Sequence, residues 1–277
     1  MDKPARNPSD RPLILVSNDD GIDAPGIVAL VCAMQGLGDI HVVAPVDEQS
    51  AVGHAITIRS PVRARRWQLV GDPEHAAAFA VTGTPADCVK LAVDKLLPRL
   101  PDLVVSGINK GPNTAVNIIY SGTVSAATEA AILGIDSIAF SLCNYRATDY
   151  ETAGRMARFV AESVLSRGLP DGILLNVNIP DLPYHEISGI EITRQARSMW
   201  EESFVERRDP FNERYYWLSG TFVNLDEGPD TDVGAVERGY VSVTPIQHDL
   251  TAYDQLGPLG EWKWQTEPIP NDSGTGQ

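Results

Sequence analysis

Short apolar runs alternate with segments of helical spacing along the first 180 residues, and this alternation constrains the fold more than any other feature. Leu13-Ile14-Leu15-Val16-Ser17 is an apolar run that stops at Asn18-Asp19-Asp20-Gly21. A run without polar alternation reads as a strand buried on both faces, as in a parallel sheet. Ala24 to Gln35 then carries apolar residues at helical spacing, with Pro25 in its first turn. Ile40 to Ala44 is the next strand, and the three pieces make a βαβ unit. The cycle repeats. It predicts strands at 78–82, 102–106, 137–141 and 173–178 and helices at 84–97, 123–133 and 152–165. Strands and helices in alternation predict a doubly wound α/β sheet.

After about residue 181 the texture changes. Ile187–Thr193, Tyr215–Leu218 and Tyr240–Thr244 are β-like, with no long helix between them. The chain is therefore read as an α/β core over 12–180, a β-rich extension over 181–252, and an acidic tail over 253–277 that is loose beyond Pro270. The extension holds Trp200, Phe204, Phe211, Tyr215, Tyr216 and Trp217. Strands without covering helices leave apolar faces and edges that need a partner. The segment either folds back on its own core or reaches a second subunit, and the second reading makes it an oligomerisation arm.

Composition narrows the function. With 43% apolar and 21% charged residues, the chain can bury a large core without disulfide or metal staples. A net charge of −15 provides no basic footprint for nucleic acid. No apolar run reaches the roughly 18–20 residues of a membrane helix. Met1–Arg11 is polar and lacks the apolar centre of a signal peptide, so the expected compartment is the cytoplasm, with no membrane partner. Cys32, Cys88 and Cys143 are few, odd in number and set among apolar neighbours, and are expected to be buried reduced thiols. An acidic protein that handles an anionic substrate must supply positive charge locally, and a bound metal ion does so compactly.

Open α/β sheets bind ligands beyond the carboxyl ends of their strands, so the turns there are where chemistry is sought. Three stand out. In Ser17-Asn18-Asp19-Asp20-Gly21, adjacent carboxylates repel each other and are costly to desolvate. They make either an oxygen-ligand site for Mg²⁺, Mn²⁺ or Ca²⁺ or a solvated turn that caps the next helix. The segment from Ala44 to His54 is long for such a connection, and offers the Ser50 hydroxyl and the His54 imidazole. The third runs Ser106-Gly107-Ile108-Asn109-Lys110-Gly111-Pro112-Asn113 and then Tyr120-Ser121-Gly122-Thr123 into a helix. Free amides and hydroxyls at a helix start, near Asn109, Asn113 and Lys110, are the physical recipe for a phosphate site. Simple capping by Ser121 or Thr123 is the plainer reading of the same residues. No Gly-rich loop ending Gly-Lys-Ser/Thr, no Gly-x-Gly-x-x-Gly after the first strand, no Gly-x-Ser-x-Gly elbow and no zinc-type Cys/His spacing is present.

Taken together, Ser17-Asn18-Asp19-Asp20-Gly21, Ala24-Pro25-Gly26, Gly83-Thr84-Pro85-Ala86-Asp87-Cys88, Ser106-Gly107-Ile108-Asn109 and Tyr120-Ser121-Gly122-Thr123 resemble the survival protein E (SurE) family of metal-dependent 5′/3′-nucleotidases. Val241-Ser242-Val243-Thr244-Pro245 and Asp249-Leu250-Thr251 extend the likeness, which covers about residues 12 to 252. The resemblance implies a Rossmann-like three-layer α/β sandwich with a mostly parallel sheet and a β-rich C-terminal extension. It implies hydrolysis of a nucleoside monophosphate substrate by a metal-activated water. One divalent ion per subunit is implied, Mg²⁺ or Mn²⁺, with Ca²⁺ as a bound but less active ion. Its ligands by motif are Asp19, Asp20, Ser50 and Asn109. Asp19 or Asp20 is the catalytic base in this reading, and Asn113, Ser121, Gly122, Thr123 and Lys110 hold the phosphate. The resemblance also implies a homodimer or homotetramer. Two departures border the pocket: Gln49-Ser50-Ala51 where the family often has Arg-Ser-Gly, and Thr114-Ala115 where a Gly-containing segment is common. The competing readings are a general acid phosphatase or exopolyphosphatase and a non-catalytic, metal-dependent nucleotide sensor.

Overall fold

The computed structural model describes residues 11–69 and 77–262. The polar N-terminus and the tail beyond Pro270, on which two of the expectations fall, lie outside the described residues. The leading run forms β1 (Leu13–Ser17), buried at every position. Its side chains still alternate. Ile14 and Val16 pack into one half of the core and Leu15 into the other, as a strand with a covered sheet on both sides requires. Then follow α1 (Pro25–Met34), β2 (Asp39–Pro45), the short edge strand β3 (Ala64–Trp67) and β4 (Ala77–Val81). Helix α2 (Pro85–Leu91) opens on a capping box in which Thr84 and Asp87 exchange side-chain and backbone hydrogen bonds. Strand β5 (Leu103–Lys110), α3 (Asn117–Tyr120), α4 (Gly122–Ile132), β6 (Ser137–Leu142), α5 (Glu151–Arg167) and β7 (Ile173–Ile179) complete the alternating part. The remainder is β8 (Gly189–Ile192), the paired strands β9 (Ser198–Arg208) and β10 (Arg214–Asn224), α6 (Asp232–Glu237), β11 (Tyr240–Gln247) and the short α7 (Leu256–Gly260).

Nine of these strands form one sheet in the order β3-β4-β2-β1-β5-β6-β7-β11-β8. The pairs from β4 through to β7 are parallel; β3 and β11 join antiparallel, and β8 runs parallel to β11. Helices α1 and α5 pack on one face, α2 and α4 on the other, giving three layers. The second half-core is closed by the small residues Ala126 and Ala130 of α4 against Leu15, Val43 and Val104.

Several details differ from the sequence reading. Strand β5 continues through Gly107-Ile108-Asn109 to Lys110 instead of ending at Ser106, with a register shift between Ser106 and Asn109. Gly107 is essential there, because an added Cβ would lie 2.3 Å from the Phe140 carbonyl oxygen of the neighbouring strand. Within 181–252, β8 and β11 are annexed to the main sheet, and only β9 and β10 stand apart as a two-stranded ribbon. Cys32 is exposed, not buried, and Cys143 is half-buried; only Cys88 is buried. Helical periodicity accounts for Cys32: Ile27, Leu30, Val31 and Met34 take the core face of α1 and turn Cys32 outward.

Candidate active site

Chain direction in the sheet places the site. From β1 the chain moves to β2 and on to β4, then returns to β5 on the other side of β1. The strand order reverses there, and the loops leaving β1 and β5 part to open a crevice. β1 and β5 run in parallel register, with Ser17 opposite Ser106. The Asp19-Asp20 turn and the Asn109-Lys110 end of β5 therefore emerge side by side. The loop after β2 is drawn in by two backbone hydrogen bonds: Ile22 donates to the Pro45 carbonyl at 2.9 Å, and Gln49 donates to the Asp19 carbonyl at 2.7 Å. The result is a crevice of about 510 Å³ lined by Asp19, Asp20, Ser50, Asn109, Lys110, Asn113 and Ser121, with further walls from Glu48, Pro112 and three tyrosines.

Asp19 is 4% exposed and faces the start of α4. The Thr123 hydroxyl donates to its Oδ1, and the Gly122 and Thr123 amides also point at the carboxylate. Gly122 makes this approach possible, since an added Cβ would lie 2.6 Å from Asp19 Cβ. Asp20 is held loosely, by the Lys110 amide to Oδ2 at 3.4 Å. Burial pushes the Asp19 carboxyl above its ordinary range. Burial, then the charge of Asp19, push Asp20 up to about 6. Two crowded, desolvated carboxylates that resist ionising are what a bound cation relieves.

The other oxygens fit the same ion. Ser50 donates its proton to Glu48 Oε1 at 2.6 Å, leaving its lone pairs for a ligand. Asn109 commits Nδ2 to the Gly111 carbonyl at 2.8 Å, which leaves its oxygen end as the acceptor. Buried Asn18 Oδ1 has no hydrogen-bond partner among the described residues. Among the described residues there is no group of three or more His, Cys, Asp or Glu suited to a metal. An all-oxygen set of two carboxylates, a hydroxyl and an amide suits a hard divalent cation.

The phosphate-side residues fall into two groups. Ser121, Asn113 and Lys110 line the crevice. Gly122 and Thr123 do not, and act on it through Asp19. Ser121 Oγ also caps α4, accepting from the Val124 amide at 3.0 Å. Asn113 is gripped by residues the sequence reading passed over. Its amide donates to Asn178 Oδ1 at 2.8 Å, its Nδ2 to Ser141 Oγ at 2.9 Å, and its carbonyl accepts from Asn176 Nδ2 at 2.8 Å. The available signal was Asn176-Val177-Asn178 in an otherwise apolar strand: a two-residue spacing puts both amides on one sheet face, where burial demands partners.

His54 does not line the crevice. Its Nε2 lies 2.9 Å from Glu129 Oε2 on α4, while Lys90 Nζ sits 2.5 Å from Oε1. With Gly53 donating to the Tyr120 carbonyl at 3.1 Å, this pins the Ser50 loop to the end of α3 and to α4. Asp232 forms a second clamp. Its carboxylate accepts from the Ala115 amide at 2.8 Å and from the Ala196 amide at 2.9 Å, joining the Asn113 loop to the root of the β9–β10 ribbon. Both departures noted in the sequence coincide with left-handed backbone: Ala51 has φ 58° and Ala115 φ 52°.

Comparison with known proteins agrees with this geometry. The family described as Survival protein SurE matches residues 14–202. A protein named 5′-nucleotidase SurE from Christiangramia forsetii is 51% identical over 253 residues, covering 91% of this chain and 97% of that protein. One of the same name from Flavobacterium psychrophilum is 50% identical over 255 residues, covering 91% and 98%. The crystal structure of SurE protein from Aquifex aeolicus superposes with a TM-score of 0.77 at 42% identity, covering 90% of this chain and 98% of that one.

Proposed function

The chain belongs to the survival protein SurE family, and from that premise we propose that its crevice hydrolyses nucleoside 5′-monophosphates, and 3′-monophosphates, to nucleoside and phosphate. The observation that carries this reading is the meeting of Asp19, Asp20, Ser50 and Asn109 with Ser121 and Asn113 along one crevice. Asp19, Asp20, Ser50 and Asn109 would hold one divalent ion, Mg²⁺ or Mn²⁺, with Ca²⁺ as a bound but less active ion. When bound, that ion supplies charge to a phosphoryl oxygen and makes a water more acidic.

The remaining steps belong to the chain. Lys110, Asn113 and Ser121 hold the phosphate, and their dipoles and charge meet the negative charge that spreads over its oxygens. Asp19 is fixed by Thr123 and the α4 amides, so it orients and does not move a proton. Among the described residues Asp20 accepts one long hydrogen bond, from the Lys110 amide, and it is the carboxylate placed to accept the proton of the attacking water. His54, Glu129 and Lys90 keep the Ser50 loop in place.

Release of inorganic phosphate from purified, EDTA-treated protein tests the reading. AMP, 3′-nucleotides, polyphosphate and p-nitrophenyl phosphate serve as substrates, before and after Mn²⁺ or Mg²⁺ is restored. Turnover of AMP that depends on the added ion is expected. Full turnover in protein verified to be metal-free overturns the mechanism. Preference for polyphosphate would make it an exopolyphosphatase, and AMP binding without phosphate release a sensor.

The β9–β10 ribbon is part of the same proposal, as the arm of a closed homodimer or homotetramer. Phe204 pairs with Leu218 on one face and Val205 with Trp217 on the other, and all four are exposed. A two-stranded ribbon with apolar pairs on both faces is marginal in water alone. The compartment we propose is the cytoplasm, in keeping with three unpaired cysteines. No helix among the described residues is long and apolar enough to cross a membrane.

A further inference from the structure

The metal and phosphate groups account for one part of the crevice. A volume of about 510 Å³ is that of a small-molecule site, with room for more than a phosphate. Another part of its wall is aromatic and apolar: Tyr145, Tyr120, Pro112 and Ala147. Tyr145 is distinctive among these. It is 63% exposed although it lines the crevice, so much of its ring is open to solvent. Another part rests on Gly111, where an added Cβ would lie 2.3 Å from Tyr145 Cε1 and 2.5 Å from Cδ1. Gly111 follows Lys110 and lies two residues after Asn109, so the ring stands next to the residues assigned to phosphate and metal.

The loop that carries Tyr145 is tied to the end of β7 before the ring and closed on itself after it. Cys143 donates to the Ile179 carbonyl at 2.9 Å, Asn144 Nδ2 to Asp181 Oδ2 at 2.6 Å, and the Arg146 amide to Asn144 Oδ1 at 2.8 Å. A ring backed by glycine backbone and carried by a hydrogen-bonded loop loses less freedom when a flat ligand settles on it than an unsupported ring would.

We infer that Tyr145 is the stacking platform for the nucleobase. This rests on the nucleotidase reading above and goes beyond it by naming the residue that reads the base. Stacking uses the π-face that every base has, so Tyr145 selects for the presence of a base and not for its identity. Purines, with the larger face, are favoured modestly over pyrimidines.

The test compares AMP with ribose 5-phosphate, which has the same phosphate and sugar and no base, in wild type, Tyr145→Ala, Tyr145→Phe and Tyr145→Leu. Loss of one base–aromatic stack is expected to lower the preference for AMP over ribose 5-phosphate in kcat/KM by roughly tenfold in Tyr145→Ala, mainly through the KM for AMP. Tyr145→Phe keeps the ring and the preference. Tyr145→Leu keeps bulk without a π-face and loses most of it. Should wild type turn over AMP alone, the inhibition constant of ribose 5-phosphate against AMP replaces its KM. Equal changes for both compounds, or none, overturn the platform. Wild-type protein that releases phosphate from neither compound under restored Mn²⁺ is instead the failure of the nucleotidase reading, so the two are told apart.

Discussion

Asp20 is a residue whose protonation and stability are bound together. Its carboxyl titrates at about 6 in the fold against 3.8 as the ordinary value. A raised carboxyl favours the protonated form, so its contribution to stability is complete below about pH 3.8 and is lost as pH rises through about 6. Asp20→Asn removes that loss. In EDTA the variant is expected to be more stable than wild type at pH 7.5, by on the order of 2 kcal/mol, and nearly equal to it at pH 4. Urea unfolding at the two pH values measures this, and a pH-independent difference would refute it. The same variant should lose most phosphate release with Mn²⁺ restored. Ser121→Ala removes a donor from the phosphate wall and a helix cap together. The first is expected to lower kcat on the order of 10²-fold, the second to lower stability by about 1 kcal/mol; steady-state kinetics and thermal melting separate them. At this scale the legible residues are those whose chemistry is local. Asp19 and Asp20 are adjacent, and Ser121 to Thr123 begin a helix. Asn176 and Asn178 were not read because the backbone they satisfy, at Asn113, is more than sixty residues away in sequence. Thr123 starts a helix, and nothing in its own segment discloses that its hydroxyl reaches Asp19.

One element carries the metal side of the proposed site from behind. The loop after β2 has little regular structure of its own, and its position depends on the His54–Glu129 contact and on the Thr57 amide, which donates to Asp87 Oδ1 at 3.0 Å. His54→Ala frees one end of that loop and with it Ser50. Affinity for Mn²⁺ is expected to fall roughly tenfold, as for loss of a group that orients a metal ligand from behind, while the melting temperature of the metal-free protein changes little. Metal titration by calorimetry measures it; unchanged affinity would mean that Ser50 is held by Gln49 and Glu48 alone. Element boundaries were legible where the apolar run met a turn signal, as at β1 and at the Thr84 cap of α2. They were not legible where a polar sequence pairs at an edge, as Ala64-Arg65-Arg66-Trp67 does against β4. The ribbon was only half visible. Tyr215–Leu218 has the residues of a strand, but β9, with Glu201, Glu202, Glu206, Arg207 and Arg208, does not advertise itself.

For the whole molecule, the decisive measurement is mass in solution. With apolar pairs on both ribbon faces, light scattering at micromolar concentration should give two or four times 30.0 kDa. A monomer with full activity would show that the ribbon needs no partner. The parallel sheet and its layers were legible because βαβ alternation has few solutions. The place of β11 was not, since only tertiary packing decides that a late strand inserts antiparallel beside β7 and leaves β8 at the edge. The Asp232 clamp has a consequence of its own. One carboxylate serves the phosphate loop through Ala115 and the ribbon root through Ala196. In the oligomer proposed above, this clamp would make subunit association and phosphate affinity linked equilibria, and linkage is reciprocal. Whatever factor assembly adds to the grip on phosphate, phosphate must return to assembly, so the dissociation constant of the proposed oligomer becomes a readout of the occupancy of the crevice.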